Sequence, residues 1–266
     1  MGAAVSESAA LAASRRIGVR AVPPGRLLHW LALGWRDLVR CPGPALLHGA
    51  ALAAFGLVLL WGVGAEFWLL AGAFSGFLLV APILATGLYA ISRALERGEH
   101  AGLGTALDAW RPRDGRLVKF GLLLALAGTG WVLTSAALIT SFAAEPVRNP
   151  ADFLRVVVLR ERSALFETWL LVGGVLAAPM FASSVIAIPL LLERQIGVLA
   201  AVLTSWRAVL TNVVPLALWA ALIMLMTLVG MATLMVGLVI VVPWLGHASW
   251  HAYRDLVERW HQPGAH

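Results

Sequence analysis

The chain has 266 residues, 60% hydrophobic and 13% charged, with a formal net charge of +6 and a mean hydropathy of +0.84. A soluble globular domain is about half apolar and about a quarter charged, so a water-soluble fold is excluded. The single cysteine, Cys41, excludes an intramolecular disulfide and a thiolate metal cage. The excess apolar residues lie in charge-free blocks of about 18 residues or more, enough to cross a hydrocarbon core of about 30 Å.

Residues 1–25 are small and polar and end in Pro23-Pro24-Gly25, which predicts a disordered tail. They contain no apolar core segment, so no cleavable leader is expected. Residues 26–40 are amphipathic: Leu27, Leu31, Trp35 and Leu38 share one stripe, with Arg26, His29, Arg36, Asp37 and Arg40 towards the other side. Too short and too charged to span, this segment is expected in the headgroup plane. Cys41-Pro42-Gly43-Pro44 breaks it, and the first span follows at 45–63. The second is expected at 67–91 and the third at 118–142. Within 143–165, Asn149-Pro150-Ala151-Asp152 reads as the start of a short helix on the outer face. The fourth span is expected at 166–192. The tract 213–250 would overshoot a bilayer as one helix. It is therefore divided into a fifth span opened by Pro215, a turn at Gly230, and a sixth span carrying Pro243 to about Tyr253.

A repeat organises these elements. Trp-Arg opens each copy (Trp35-Arg36, Trp110-Arg111, Trp206-Arg207) and Glu-Arg closes it (Glu96-Arg97, Glu193-Arg194, Glu258-Arg259). Pro82, Pro179 and Pro243 lie shortly before the three closings. The expected fold is an all-α integral membrane protein of six transmembrane helices in three pseudo-repeated hairpins, with interfacial amphipathic helices. Its expected organisation is a cytoplasmic tail at 1–25, a membrane domain at 26–259 (repeats about 26–97, 103–194 and 197–259), and a cytoplasmic tail at 260–266.

Most of the 20 basic residues fall on one side of these spans, among them Arg15, Arg16, Arg20, Arg36, Arg93, Arg97, Arg111, Arg116, Arg194, Arg207 and Arg254. The positive-inside rule makes that side, and both termini, cytoplasmic in a bacterial inner membrane. The Trp-Arg and Glu-Arg residues are expected to interlock there as a belt of ion pairs, with surplus arginine facing anionic lipid headgroups.

Between the ends of the six spans there is no Asp, Glu, Lys or Arg, which argues against a proton- or charge-driven mechanism. There is no phosphate-binding glycine loop and no His-Glu-x-x-His helix, so ATPase and zinc-protease readings have no support. His247 and His251 share one helix face, with His48 at similar depth, and form a weak candidate metal or haem site. No cofactor is expected from them, because no nearby carboxylate or thiol is expected to complete a site. The three prolines should kink their helices by freeing the carbonyls of Leu78, Val175 and Val239.

Leu33-Gly34-Trp35-Arg36-Asp37-Leu38 with Pro42-Gly43-Pro44, Gly87-Leu88-Tyr89 with Leu95-Glu96-Arg97-Gly98-Glu99, and Gly246-His247-Ala248-Ser249-Trp250-His251-Ala252-Tyr253-Arg254-Asp255-Leu256 resemble the bacterial family named domain of unknown function 2189. The similarity extends over about residues 26–258. It implies a multi-pass inner-membrane protein without an assigned activity. Some relatives carry a cytochrome c oxidase subunit I label, but His247 and His251 lack the further intramembrane histidines that haems and copper would require. The expected function is non-catalytic: a scaffold or accessory subunit contacting the lipid bilayer and a membrane complex, with no nucleic-acid partner. The alternatives are a passive channel or carrier for a small or amphipathic solute and, more weakly, a haem- or metal-binding membrane protein.

Overall fold

The computed structural model describes residues 2–62, 84–111, 115–148, 150–160 and 164–258. They form α1 (Gly2–Arg15), α2 (Arg26–Arg40), α3 (Pro42–Gly62), α4 (helical residues 84–96), α5 (Leu103–Trp110), α6 (Arg116–Phe142) and α7 (Pro150–Asp152), which runs into a π-helical turn Phe153–Val158. Then come α8 (Leu165–Ser184), α9 (Ala187–Glu193), α10 (Val198–Thr211), α11 (Val213–Ala232) and α12 (Leu238–Leu256). No strand occurs among the described residues; one isolated bridge joins Val19 to Val257.

Among the described residues three helical segments are long and apolar enough to cross a membrane: α6, α8 with α9 (Leu165–Glu193), and α11. A fourth is reached if α2 and the first part of α3, bent by 105° at their junction, count as one broken span. That bend sits at the expected Cys41-Pro42-Gly43-Pro44 break, where the Cys41 N–H closes α2 onto the Asp37 carbonyl. Most of the expected second span, including Pro82, lies outside the described residues, as does Arg259. The expected sixth span is α12, but His247, Ser249, His251, Arg254 and Asp255 make it too polar to count among the candidate spans.

α12 is instead the packing centre. Glycines of the neighbouring helices let them approach it to backbone distance. A β-carbon placed on Gly34 of α2 would lie 2.6 Å from the Ala248 nitrogen, and one on Gly49 of α3 would overlap the Val239 carbonyl oxygen. Val239 is the carbonyl that Pro243 deprives of its helical donor, so the freed group lies against the Gly49 backbone of α3. The helix runs unbroken through Pro243. Pro179 also lies inside its helix; the break in that span comes later, at Val185-Ile186, where the Ile186 N–H donates to Ser205 Oγ. Around α12 and α2, Trp30, Trp219, Trp250, Tyr253 and Leu256 are fully buried, and Trp30 meets Trp219 edge-on at 5.6 Å.

Three expectations are corrected. Residues 2–25 are not a disordered tail. α1 packs on α10, and Ser14 and Ile17 are buried. Arg207 caps the end of α1 by donating to the Ser14 and Ile17 carbonyls, and Asn212 holds the following strand-like stretch through Val22 N–H and Arg20 C=O. Of the small side chains of α1, Ser14 is fully buried there, where the Thr204 hydroxyl donates to Ser14 Oγ. The second correction concerns α2, which does not rest on a simple apolar stripe. It buries Leu27, Trp30, Gly34, Asp37 and Leu38 against the bundle and leaves Trp35 half exposed. The turn between α11 and α12 forms the third: it falls at 233–237 rather than at Gly230, with Leu234 and Met235 in the left-handed region at φ 53° and 67°. Gly230 serves that hairpin as a contact, since a β-carbon on Gly237 would lie 2.9 Å from its α-carbon.

Candidate functional site: a buried histidine network and an ionic cap on α12

Two polar clusters are built around α12. The inner one joins α2, α3, α4 and α12. His251 Nε2–H donates to Asp37 Oδ2 at 2.7 Å, inside a contact where Asp37 is 2% exposed. Ser92 Oγ lies 2.7 Å from His247 Nδ1, so hydroxyl and imidazole share one hydrogen bond. His48 Nδ1–H donates to the Pro44 carbonyl, which can only accept, at 2.7 Å. The remaining ring nitrogens, His48 Nε2 and His247 Nε2, are buried without a hydrogen-bond partner, as is the indole nitrogen of Trp110. The Trp110 ring lies 5.2 Å from that of His48.

The structure thus brings the three expected histidines into one region and adds two residues the sequence reading left out, Asp37 and Ser92. The amphipathic pattern of α2 places Asp37 towards its polar side, whereas the structure buries it as the carboxylate beside His251. Among the described residues no group of three His, Cys, Asp or Glu side chains is placed to hold a metal ion.

The outer cluster caps α12. Arg254 binds Glu193 Oε1 at 2.9 Å and Glu96 Oε2 at 3.1 Å, and its guanidinium lies 5.9 Å from the Trp250 ring. The Tyr253 hydroxyl donates to Glu193, and Trp250 Nε1–H to Glu96. Two of the Glu-Arg closings therefore converge on Arg254, which the expected belt did not include. The other belt residues take different partners. Trp206 Nε1–H donates to Ser183 Oγ, Arg111 pairs with Asp108 and Arg97 with Glu99. Trp35 packs edge-on against Trp244, Arg36 is exposed, Arg194 donates to the Glu258 carbonyl, and the Glu258 N–H donates to the Gly18 carbonyl. Finding Arg254 from sequence would have required knowing that α4, α9 and α12 end at one place.

A second tie holds α12 to α2: Asp255 Oδ2 accepts from Arg26 Nε at 2.7 Å and from Trp30 Nε1 at 2.9 Å. Burial pushes the Asp255 carboxyl up, but these two hydrogen bonds and the charges of Arg26 and Arg20 outweigh it and hold the group below its ordinary value of 3.8. A carboxylate held below its unfolded value stabilises the fold in full above that value and loses the effect as pH falls through the folded value. The melting temperature in detergent should therefore fall as pH drops below 3.8. Asp255→Asn should melt lower than the wild type at pH 6 and show a shallower fall in acid; parallel curves for the two proteins would exclude this role.

Between α4, α5, α6 and α9 lies a cleft of about 310 Å³ lined by Arg93, His100, Asp108, Arg111, Arg116 and Gln195, among others. Its arginines are already engaged. Arg93 donates to the Leu192 carbonyl, and Arg116 donates to the Arg194 and Ile196 carbonyls, closing the C-terminal end of α9.

No curated protein and no solved structure matches the chain. The stretch that matches a family model is shorter than the stretch over which motifs are similar, leaving Trp35-Arg36 and the histidine-bearing α12 outside it. Residues 69–193 match the model of a predicted integral membrane protein family, domain of unknown function 2189, the same family that the sequence motifs resemble.

Proposed function

We propose that this integral membrane protein is a non-catalytic scaffold or accessory subunit of a bacterial inner-membrane complex. One observation carries the reading: two of the candidate spans, α6 and α11, are apolar but little used inside the fold, while the third, Leu165–Glu193, is 39% buried. Only 11% of the apolar window of α6 is buried, and 22% of that of α11, whereas α12 is enclosed by its neighbours. Leu122, Leu123, Leu126 and Leu133 on α6, and Met224, Leu225 and Leu228 on α11, are left exposed. A helix of this kind has a full apolar side available to lipid or to another membrane helix, while the polar groups are turned inward as packing and capping contacts.

The same reading keeps three repeated hairpins and six spans, with both termini cytoplasmic. In its favour, α2, α5 and α10 each carry one Trp-Arg opening at or near the helix end, and Glu96 and Glu193 reach the same guanidinium. Arg26, Arg116, Arg194 and Arg254 then lie at the arginine-rich end, which the positive-inside rule makes cytoplasmic.

The test is native mass spectrometry of the full chain released gently in its own lipids. Co-release of another membrane protein at fixed stoichiometry is the expected result. A lone chain retaining a defined small solute would replace this reading with a carrier.

A further inference from the structure

The side of α2 that the bundle leaves uncovered is ordered into two sectors. At about 100° per residue, the buried Leu27, Trp30, Gly34, Asp37 and Leu38 fill the side against the bundle. Leu28, Ala32, Trp35 and Val39 fall on a narrow exposed seam, with Leu28 73% and Val39 57% exposed. His29, Arg36 and Arg40, all exposed, lie beside that seam, roughly 90° further around the helix. Among the described residues neither Arg36 nor Arg40 has a hydrogen-bond, ion-pair or ring partner, whereas Arg26, at the other end of the helix, is held by Asp255. Asp37, the only carboxylate of α2, is buried against His251, so the helix offers no counter-charge to the two guanidiniums. α3 leaves α2 at 105°, so a spanning α3 lays α2 near the bilayer plane.

We propose that α2 is a phospholipid-recognition helix of the leaflet at the arginine-rich end. Its seam rests on acyl chains, and Arg36 with Arg40, one turn apart, holds the phosphate of an anionic headgroup. Guanidinium groups bond phosphate oxygens in forked pairs, and an arginine stem reaches from apolar surface to headgroup level. A helix of another membrane protein would meet the seam but strand two charges beside it; a phospholipid satisfies both sectors.

α10 supplies the contrast. At a constant offset, residues 28, 32, 35 and 39 correspond to Leu199, Leu203, Trp206 and Leu210, of which Leu199, Trp206 and Leu210 are exposed. The positions of Arg36 and Arg40 are taken by Arg207, which is spent on the Ser14 and Ile17 carbonyls, and by Thr211. α10 therefore has the seam without the free cations, and rests on lipid without choosing the headgroup. The inference stands whether the chain is a scaffold or a carrier.

The test uses the full chain, delipidated in a neutral detergent, with lipid binding read by native mass spectrometry. The probes are phosphatidylglycerol and phosphatidylcholine with identical chains. The wild type should bind the first phosphatidylglycerol more tightly than phosphatidylcholine. Arg36→Gln with Arg40→Gln should weaken that binding roughly tenfold and leave phosphatidylcholine unchanged. Arg15→Gln with Arg16→Gln, which removes two exposed arginines outside the seam, should change neither. Seating is read separately in nanodiscs of the two lipids. A spin label at Leu28→Cys or Leu199→Cys should be open to oxygen and closed to a water-soluble nickel chelate, with wild type, whose Cys41 is 7% exposed, as the background. All the substituted side chains are exposed, so the variants keep the fold. The proposal is overturned by a wild type without preference, by a preference that survives Arg36→Gln with Arg40→Gln, or by an equal loss in the Arg15→Gln, Arg16→Gln control. A Leu28→Cys label open to nickel would overturn it by placing the seam in water, and one closed to both reagents by showing that protein covers it.

Discussion

Arg254→Ala is expected to be among the most damaging single substitutions in the chain, lowering stability in mixed micelles by about 3 kcal/mol, as removal of one partner from a mostly buried ion pair does. Arg254, Glu96 and Glu193 have side chains only 17%, 25% and 14% exposed, so solvent screens them weakly. The change also removes the cation facing Trp250 and leaves two carboxylates close together without their shared partner. Arg254→Lys should fall between, because one ammonium cannot reproduce the forked contact to two carboxylates. Adding Glu96→Gln and Glu193→Gln to Arg254→Ala should recover part of the loss by removing the stranded charges. Equilibrium unfolding of the four proteins measures this. A loss below about 0.5 kcal/mol for Arg254→Ala, the size of an ordinary surface substitution, would show that the cap does not hold α4, α9 and α12 together.

The sequence makes the lengths of these helices readable more readily than their partners. The third span, expected at 118–142, is found as Arg116–Phe142, because a long charge-free tract with a basic start leaves little freedom at either end. The break at Cys41 to Pro44 is equally plain, since proline fixes the start of α3. α1 was not legible: its alanines and serines carry almost no amphipathic signal, and its stability comes from α10 and the Arg207 cap. α2 misled for the opposite reason. It is apolar on two sides, with Leu28 73% and Val39 57% exposed, so the stripe chosen from leucine and tryptophan was not the one that packs. The histidines were recognised by their i, i+4 spacing. Their partners, Asp37 and Ser92, come from α2 and α4, and no local pattern links those helices to α12. The residues that best explain why α12 is central, Gly34 and Gly49, have no side chain through which to announce themselves.

Those glycines yield the other large expected effect. Gly49→Val should separate α3 from α12 and cost about 2–3 kcal/mol, the upper range for overpacking a closely fitted contact. A β-carbon at this position would meet the Val239 carbonyl oxygen and also approach the Val239 α-carbon at 2.7 Å, so the obstruction is backbone and cannot rotate away. The consequence extends beyond the clash. Val239 has lost its helical donor to Pro243, and moving α3 away leaves that carbonyl facing an opened gap. Pro243→Ala restores an N–H at position 243 and should give Val239 back its intrahelical bond. If the freed carbonyl contributes to the damage, Pro243→Ala should soften the effect of Gly49→Val, so that the double variant loses less than the sum of the two single losses. Strict additivity would place the whole cost in the steric overlap. A harmless Gly49→Val would mean that α3 does not approach α12 this closely. Gly56, one helical stretch further along α3, is the internal control: a β-carbon there meets only the flexible Met235 side chain, at 3.2 Å, so Gly56→Ala should be tolerated.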